Sequence, residues 1–360
     1  MPVPLFATSL DPYMDRISDR LAAVARSGRY ILGPEVTAFE GELADYLGVA
    51  HAIGVGNGTD ALTIALRALG VKAGTEVIVP SFTFYASVEA ILNAGALPVF
   101  ADVDPATMNV TRQTVQDKLT DDTAAIVPVH LFGNPAPVDE LIGFGVPILE
   151  DAAQAIGARR LGRRIGSLGH AATFSFFPSK NLGGLGDGGA IVTDDPDIAE
   201  RARRLRFHGS KDKVTYTEVG YNSRLDELQA AVLRVLLPEL DGWNDARRAA
   251  ARAYEEAGLL DYATPQHTSA DDESVYHLYV VRTPDPDGLQ ARLDAGGVAA
   301  RGYYRTPVHL QPAMAGLGGD RIELPGTMEA ARTHLALPMG TQLTREQVDE
   351  VVAACASGST

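Results

Sequence analysis

One lysine in this chain stands where a reactive amine could be presented to a ligand. In Ser175-Phe176-Phe177-Pro178-Ser179-Lys180-Asn181-Leu182-Gly183-Gly184-Leu185-Gly186-Asp187-Gly188-Gly189, Lys180 follows an apolar run and precedes five glycines in seven residues. Such a run reads as a buried strand, and open α/β sheets bind their ligands at the C-terminal ends of strands. Pro178 stiffens the approach, and the glycines would let backbone pass close to a flat ligand. Taken alone, the segment also reads as a surface lysine on a flexible loop. It is not a Walker-type phosphate loop, in which the lysine follows the glycines.

A second run, Pro147-Ile148-Leu149-Glu150-Asp151-Ala152-Ala153-Gln154, carries an apolar stretch into an acid and then small residues. It places Asp151 at the same sheet edge, and Gln154, three residues on, faces the same way if a helical turn begins there. That pair suits a pyridine ring: the carboxylate meets a protonated ring nitrogen, which makes the ring an electron sink, and the amide reaches a ring oxygen. Alone, Asp151 reads equally as a helix N-cap.

Gly54-Val55-Gly56-Asn57-Gly58-Thr59-Asp60-Ala61-Leu62 is a strand, a glycine turn and a helix start, whose free N–H groups suit a phosphate. The glycine spacing lacks the third offset of a dinucleotide fingerprint. The Asp60 carboxylate would repel a phosphate, so its backbone N–H and the Thr59 hydroxyl are expected to make the contact. Pro80-Ser81-Phe82-Thr83-Phe84 could lay an aromatic face on a planar ring, although aromatics after a strand are more often core. Gly220-Tyr221-Asn222-Ser223-Arg224-Leu225 reads as a polar loop opening an amphipathic helix.

These segments need a scaffold. From His51 to Thr193, short β-branched runs alternate with helical stretches across turns rich in Gly, Pro and Asp, the signature of an α/β layer with a mostly parallel sheet. Strands are predicted near Ala52–Val55, Glu76–Val79, Leu97–Phe100, Ala124–Val129, Pro147–Leu149, Thr173–Phe176 and Ala190–Thr193. Helices are expected to end at Gly70 and Gly95, where left-handed backbone costs glycine least. Beyond Thr193, helices Ile198–Phe207, Leu225–Leu237 and Leu240–Glu256 look like connectors. A polar stretch, Thr264–Ser274, then separates them from a tail with strand Val275–Val281, helix Gly288–Ala295 and a terminal helix from Arg345. The expected division is residues 1–240 as a large domain, N-terminal arm included, and 241–360 as a small α+β domain.

The 360 residues are 46% hydrophobic and carry 31 basic against 46 acidic side chains, a formal charge of −15. The mean field repels nucleic acid and anionic lipid, so an anionic substrate needs a local pocket of donors working against the overall sign. Cys355 is the one cysteine, which excludes an intrachain disulfide and a Cys-based metal site; no metal is expected. No run approaches the ~20 apolar residues that cross a bilayer, and a soluble, cytoplasmic protein is expected.

In order, these runs resemble the DegT/DnrJ/StrS-type sugar aminotransferases, of fold type I, the aspartate-aminotransferase-like architecture. Ile31-Leu32-Gly33-Pro34-Glu35-Val36, Val127-Pro128-Val129-His130-Leu131-Phe132-Gly133 and Val308-His309-Leu310-Gln311-Pro312 extend the match over nearly the whole chain. The resemblance implies pyridoxal 5'-phosphate as cofactor, with pyridoxamine 5'-phosphate in the cycle. It matches Lys180 to the Schiff-base lysine, Asp151 to the partner of the pyridinium nitrogen and Gln154 to the residue at the ring oxygen. Gly58, Thr59, the Asp60 backbone and Ser175 match phosphate contacts, and Phe84 the aromatic over the ring. Asn222 matches a residue that reaches the neighbouring subunit's phosphate, which implies a homodimer with shared sites. Tyr304, His309 and Arg224, in or beside the matching runs, are candidate substrate contacts.

The implied activity moves an amino group from an amino acid, by likeness L-glutamate, to a nucleotide-linked keto-sugar. Asn134 stands where many members have Gln or His, and Tyr303-Tyr304-Arg305-Thr306-Pro307 departs from the common Tyr-Pro-Val-Pro pattern, so the sugar stays open. A keto-cyclitol acceptor and a non-catalytic, regulatory cofactor-binding protein are the alternatives. Dehydratases on this fold lack the lysine.

Overall fold

Apolar runs punctuated by Gly, Pro and Asp become a central sheet in the computed structural model, which describes residues 2–356. Glu76–Pro80 pairs in parallel with Leu97–Ala101 on one side and Thr123–Ile126 on the other. Parallel bridges Ile126–Ile148 and Val129–Asp151 join that ladder to Leu149–Asp151, which pairs in parallel with Ala171–Ser175. Gly189–Thr193 then runs antiparallel between Ala171–Ser175 and His51–Val55. The sheet thus has seven strands, three from one ladder and four from the other, with one antiparallel member.

Helix Gly58–Ala68 lies on this sheet, capped by Asn57 and buried from Ala61 to Leu66. Gly70 and Gly95 follow the Gly58–Ala68 and Ala86–Asn93 helices at φ +94° and +83°, as expected of left-handed terminators. A smaller antiparallel sheet joins Thr264–Pro265, Tyr279–Arg282 and His334–Leu337. Its core includes Tyr254, Leu289, Leu293, Leu335, Leu337 and Val351, and Val3 packs into it while pairing with Val298. Among the described residues no helix is long and apolar enough to cross a membrane.

Four expectations are corrected. The strand read as Pro147–Leu149 is Leu149–Asp151, so Asp151 lies within the ladder. The helices read as connectors are structural: Glu227–Leu236 has seven buried residues and packs on Met14–Ser27 and Pro34–Leu47. The polar separator contains two short strands, and its Asp272–Glu273 pairs with Arg159–Arg160. The strand read as Val275–Val281 begins only at Tyr279, because Tyr276 sits at φ +43°.

Helix Pro34–Leu47 starts from a glycine that offers no capping side chain. Glu227 caps it from across the fold: 1% exposed, its carboxylate accepts the N–H groups of Gly33, Glu35 and Val36 at 2.8–2.9 Å. Those are orphan donors of the first turn, at the positive end of the helix dipole. Glu227→Ala is expected to destabilise the chain by about 2–4 kcal/mol, since it strands several donors at once. Glu227→Gln, which keeps one acceptor, should lose less. Chemical unfolding of the three proteins checks this; equal midpoints would mean that water replaces the carboxylate at no cost.

Candidate active site

The C-terminal ends of Leu149–Asp151 and Ala171–Ser175 open on a cavity of about 810 Å3. It is lined by Gly58, Thr59, Phe84, Asp151, Gln154, Ser175, Lys180 and Tyr304 together, so residues far apart in sequence meet on one surface.

Asp151 ends its strand and enters a turn rather than a helix, with Oδ1 accepting the Ala153 N–H at 3.2 Å. Oδ2 accepts the Ser87 hydroxyl at 2.7 Å. The residue is 4% exposed. No basic side chain hydrogen-bonds it among the described residues, and burial raises its pKa against the pull of Ser87, Ala153 and Lys180. A buried carboxylate in this state wants a cation.

Lys180 lies in the turn after Ala171–Ser175, its N–H on the Phe177 carbonyl at 2.8 Å. Burial pulls its amine down to about 8, with the Asp151 charge opposing. At neutral pH roughly a tenth of the amine is then in its nucleophilic form, against well under a thousandth at the ordinary lysine value of ~10.4.

Gln154 is oriented by two partners. Its Oε1 accepts the Phe132 N–H at 2.7 Å, which leaves Nε2 to donate, here to the Tyr304 hydroxyl at 3.2 Å. Tyr304 stacks on Phe132 with ring centroids 5.9 Å apart and touches Phe84, which is 55% exposed at the cavity wall.

At the other wall, Gly58 and Thr59 begin their helix with N–H groups that no intrahelical carbonyl can take. A Cβ at Gly58 would lie 2.8 Å from Ser175 Cβ, so only glycine brings the helix start this close to the strand end. The glycines after Lys180 serve protein packing in the same way: a Cβ at Gly189 would lie 2.5 Å from the Asn57 carbonyl. This differs from the expected passage beside a flat ligand.

Five residues singled out in the sequence do not line the cavity of their own chain. The Asp60 N–H donates to Asn57 Oδ1 at 2.8 Å and Asp60 does not line the cavity, because the helix needs that N–H for its cap. His309 is buried against the Ser81 hydroxyl and ties two loops together behind the wall, while its neighbours Val308 and Gln311 reach the cavity. Asn134, also buried, donates to the Thr107 and His267 carbonyls away from the cavity. Asn222 and Arg224 lie outside the cavity of their own chain, with the Arg224 guanidinium donating to Asn222 Oδ1.

Sequence reasoning missed Ser87 and His277. His277 lines the cavity, is 5% exposed and leaves Nδ1 without a hydrogen-bond partner among the described residues. Burial and then the charges of Lys180 and Arg247 hold its pKa well below the usual range. Reading Val275–Val281 as a regular strand hid it; its place depends on the positive φ of Tyr276.

These groups fit a phosphate-bearing pyridine. The uncompensated Asp151 carboxylate would receive a protonated ring nitrogen, Gln154 offers a fixed donor, Lys180 a reactive amine, and the Gly58–Thr59 helix start with Ser175 a phosphate cradle.

Comparison with known proteins agrees with this chemistry. A model of the DegT/DnrJ/EryC1/StrS aminotransferase family matches residues 13–356. A "pleiotropic regulatory protein" of Geobacillus stearothermophilus is 46% identical over 95% of this chain and 93% of its own length. The dTDP-3-amino-3,4,6-trideoxy-alpha-D-glucose transaminase of Streptomyces venezuelae is 48% identical over 92% of this chain and 89% of its own. Among solved structures, S. venezuelae DesV in complex with a ketimine intermediate superposes with a TM-score of 0.95 at 44% identity, covering 98% of this chain and 97% of that one.

In cofactor-free protein, competitive acetylation read by mass spectrometry should give Lys180 a midpoint near pH 8. Asp151→Asn should move it lower, because a negative charge that favours the ammonium is removed. A wild-type midpoint at the ordinary lysine value of ~10.4 would show that burial does not control this amine.

Proposed function

The chain belongs to the DegT/DnrJ/EryC1/StrS aminotransferase family, and from that premise we propose a pyridoxal-5'-phosphate enzyme that moves an amino group from an amino acid, L-glutamate by likeness, to a nucleotide-linked keto-sugar. The observation that carries the reading is Asp151: a buried carboxylate that no basic side chain hydrogen-bonds among the described residues, facing the same cavity as a lysine whose pKa is lowered.

When bound, the cofactor supplies an electron sink for the pair left behind at a deprotonated carbon. Lys180 would hold it through its amine and, as a free amine, would take the proton from the donor α-carbon as general base and return it as general acid. Asp151 holds the ring nitrogen protonated through a charge-assisted bond of about 1.5–3 kcal/mol. Gln154 donates to the ring oxygen, and Thr59, Gly58 and Ser175 hold the phosphate. Asn222, which does not reach its own chain's cavity, serves the site of a second copy in a homodimer. The protein works in the cytoplasm.

The regulatory relative favours a second reading, a cofactor-binding regulator. Lys180, Asp151 and Gln154 meeting at one cavity favour catalysis instead.

A half-reaction with glutamate decides: the cofactor's visible band should shift as 2-oxoglutarate appears, and a regulator would give neither. Lys180→Ala should lower turnover by at least about 10²–10⁴-fold, the usual share of a general acid–base. Borohydride trapping at any other lysine would sink the assignment. Co-refolded Lys180→Ala and Asn222→Ala chains should recover activity above the sum of each alone. No gain, with mixed dimers present, would take Asn222 out of the shared site.

A further inference from the structure

The cavity's charge runs against that of the chain. Formal charge is −15, yet Lys180, Arg301 and Arg305 line the cavity against only Asp151 and Asp187. In the function proposed above, Lys180 and Asp151 are committed to the cofactor, and its phosphate is assigned to the Gly58–Thr59 helix start. Arg301 and Arg305 are left over for a ligand. Arg305 lies in the segment where the sequence departs from the family's common pattern and Arg301 two residues before it, and the resemblance as drawn above gives neither a role.

Both are held in place, and neither has a buried counter-ion among the described residues. The Arg301 backbone exchanges hydrogen bonds with Ala336 at 3.1 and 2.9 Å, which fixes it to the smaller sheet. Its guanidinium lies 5.2 Å from the Tyr303 ring centroid, and no carboxylate pairs with it among the described residues. Arg305 folds back over Gly302, where any Cβ would collide with its guanidinium. Its acidic neighbour, Asp287, is 3.4 Å away and 92% exposed, a hydrated pair that a better ligand can displace. Between the two arginines, Tyr304 is pinned by Gln154 and by stacking on Phe132.

A guanidinium fork matches two oxygens of one phosphate or carboxylate. Two forks on one anchored loop match two linked anions better than one. We propose that Arg301 and Arg305 together bind the diphosphate of a nucleotide-linked substrate. This rests on the nucleotide-sugar reading and adds to it the side chains that recognise the carrier.

The test is calorimetric titration of the holoenzyme with UDP, dTDP and inorganic pyrophosphate, alongside the glutamate half-reaction. Arg301→Gln and Arg305→Gln should each weaken diphosphate binding about tenfold or more, one charge-assisted bond apiece, and the double variant further. Arg305→Lys, which keeps the charge but not the fork, should fall between. Arg345→Gln, on the terminal helix and paired with Glu256, removes the same formal charge far from the cavity and should bind as wild type. Equal binding by wild type and the double variant would overturn the assignment alone. So would losses confined to glutamate, which would place the arginines on the donor's carboxylates. A wild type that accepts glutamate's amino group but binds none of the three diphosphate probes would overturn the nucleotide reading, and this inference with it.

Discussion

The Asp151 carboxylate is 4% exposed and among the described residues receives a hydroxyl and one N–H, so the sheet edge holds an acid that no basic side chain hydrogen-bonds. Its neighbour makes the contrast. Glu150, next in the same strand and fully buried, points to the opposite face, as alternation requires. There it accepts three backbone N–H groups, from Gly166, Leu168 and Gly169, and one from His130 Nε2. His130 Nδ1 accepts the Ala136 N–H, so the imidazole proton faces Glu150. Burial pushes the Glu150 carboxyl up, but these donors outweigh it and hold it below the usual range, whereas Asp151 is raised. Two consecutive acids thus divide into one that is satisfied by the protein and one that waits for a ligand, and the number of donors decides which is which.

The rest of the architecture serves that edge. Placing Gly189–Thr193 antiparallel between two parallel strands brings the chain back past its own turn, so Lys180 is held between a strand that leaves the cavity edge and one that returns to it. The return is tight, with Gly189 against Asn57 and Gly58 against Ser175. Those approaches bring the first turn of Gly58–Ala68 to the end of the lysine-bearing strand, so amine and phosphate cradle share one rigid unit. Asn181, the residue after Lys180, donates to the Val275 carbonyl and to Asn244, which ties the smaller layer to the same turn.

Most of this was readable because it depends on local pattern. The strand runs, the glycine terminators and the Asp151–Gln154 spacing each follow from backbone preferences within a few residues, and they located the cavity's main groups. What escaped depends on distance. Glu227 capping a helix that begins 193 positions earlier leaves no trace in either segment, since a buried Glu reads as a surface helix residue. Asp60 illustrates a different limit: its N–H could serve a ligand or a cap, and the sequence does not say that Asn57 takes it. His309 matched a family run and yet faces Ser81, because a motif fixes the path of a loop more firmly than the direction of each side chain on it.

Backbone strain marks where that indirect information resides. Among the described residues eight non-glycine positions have positive φ, and three of them, Phe132, Tyr276 and Tyr304, lie on the cavity wall or directly against it. Each such conformation costs on the order of 1–3 kcal/mol and persists only where surroundings over-determine it. Here they do. Phe132 is fixed by the Gln154 carbonyl through its N–H and by the Tyr304 ring, and Tyr304 is fixed in return by Gln154 Nε2. Tyr276 is held by the buried Arg247, which donates to its carbonyl at 3.1 Å, and by Ser274, whose hydroxyl binds both the Tyr276 N–H and the Gly133 carbonyl. Two of the strained residues therefore orient one amide between them, and the third sets His277 beside Lys180. The geometry of those turns keeps Gln154 a donor toward the cavity rather than an acceptor, since it aims the Phe132 N–H at the amide and a flipped amide would set nitrogen against that donor. The direction of that single hydrogen bond thus depends on segments more than 20 and 140 residues away in sequence, a dependence that packing records and spacing does not.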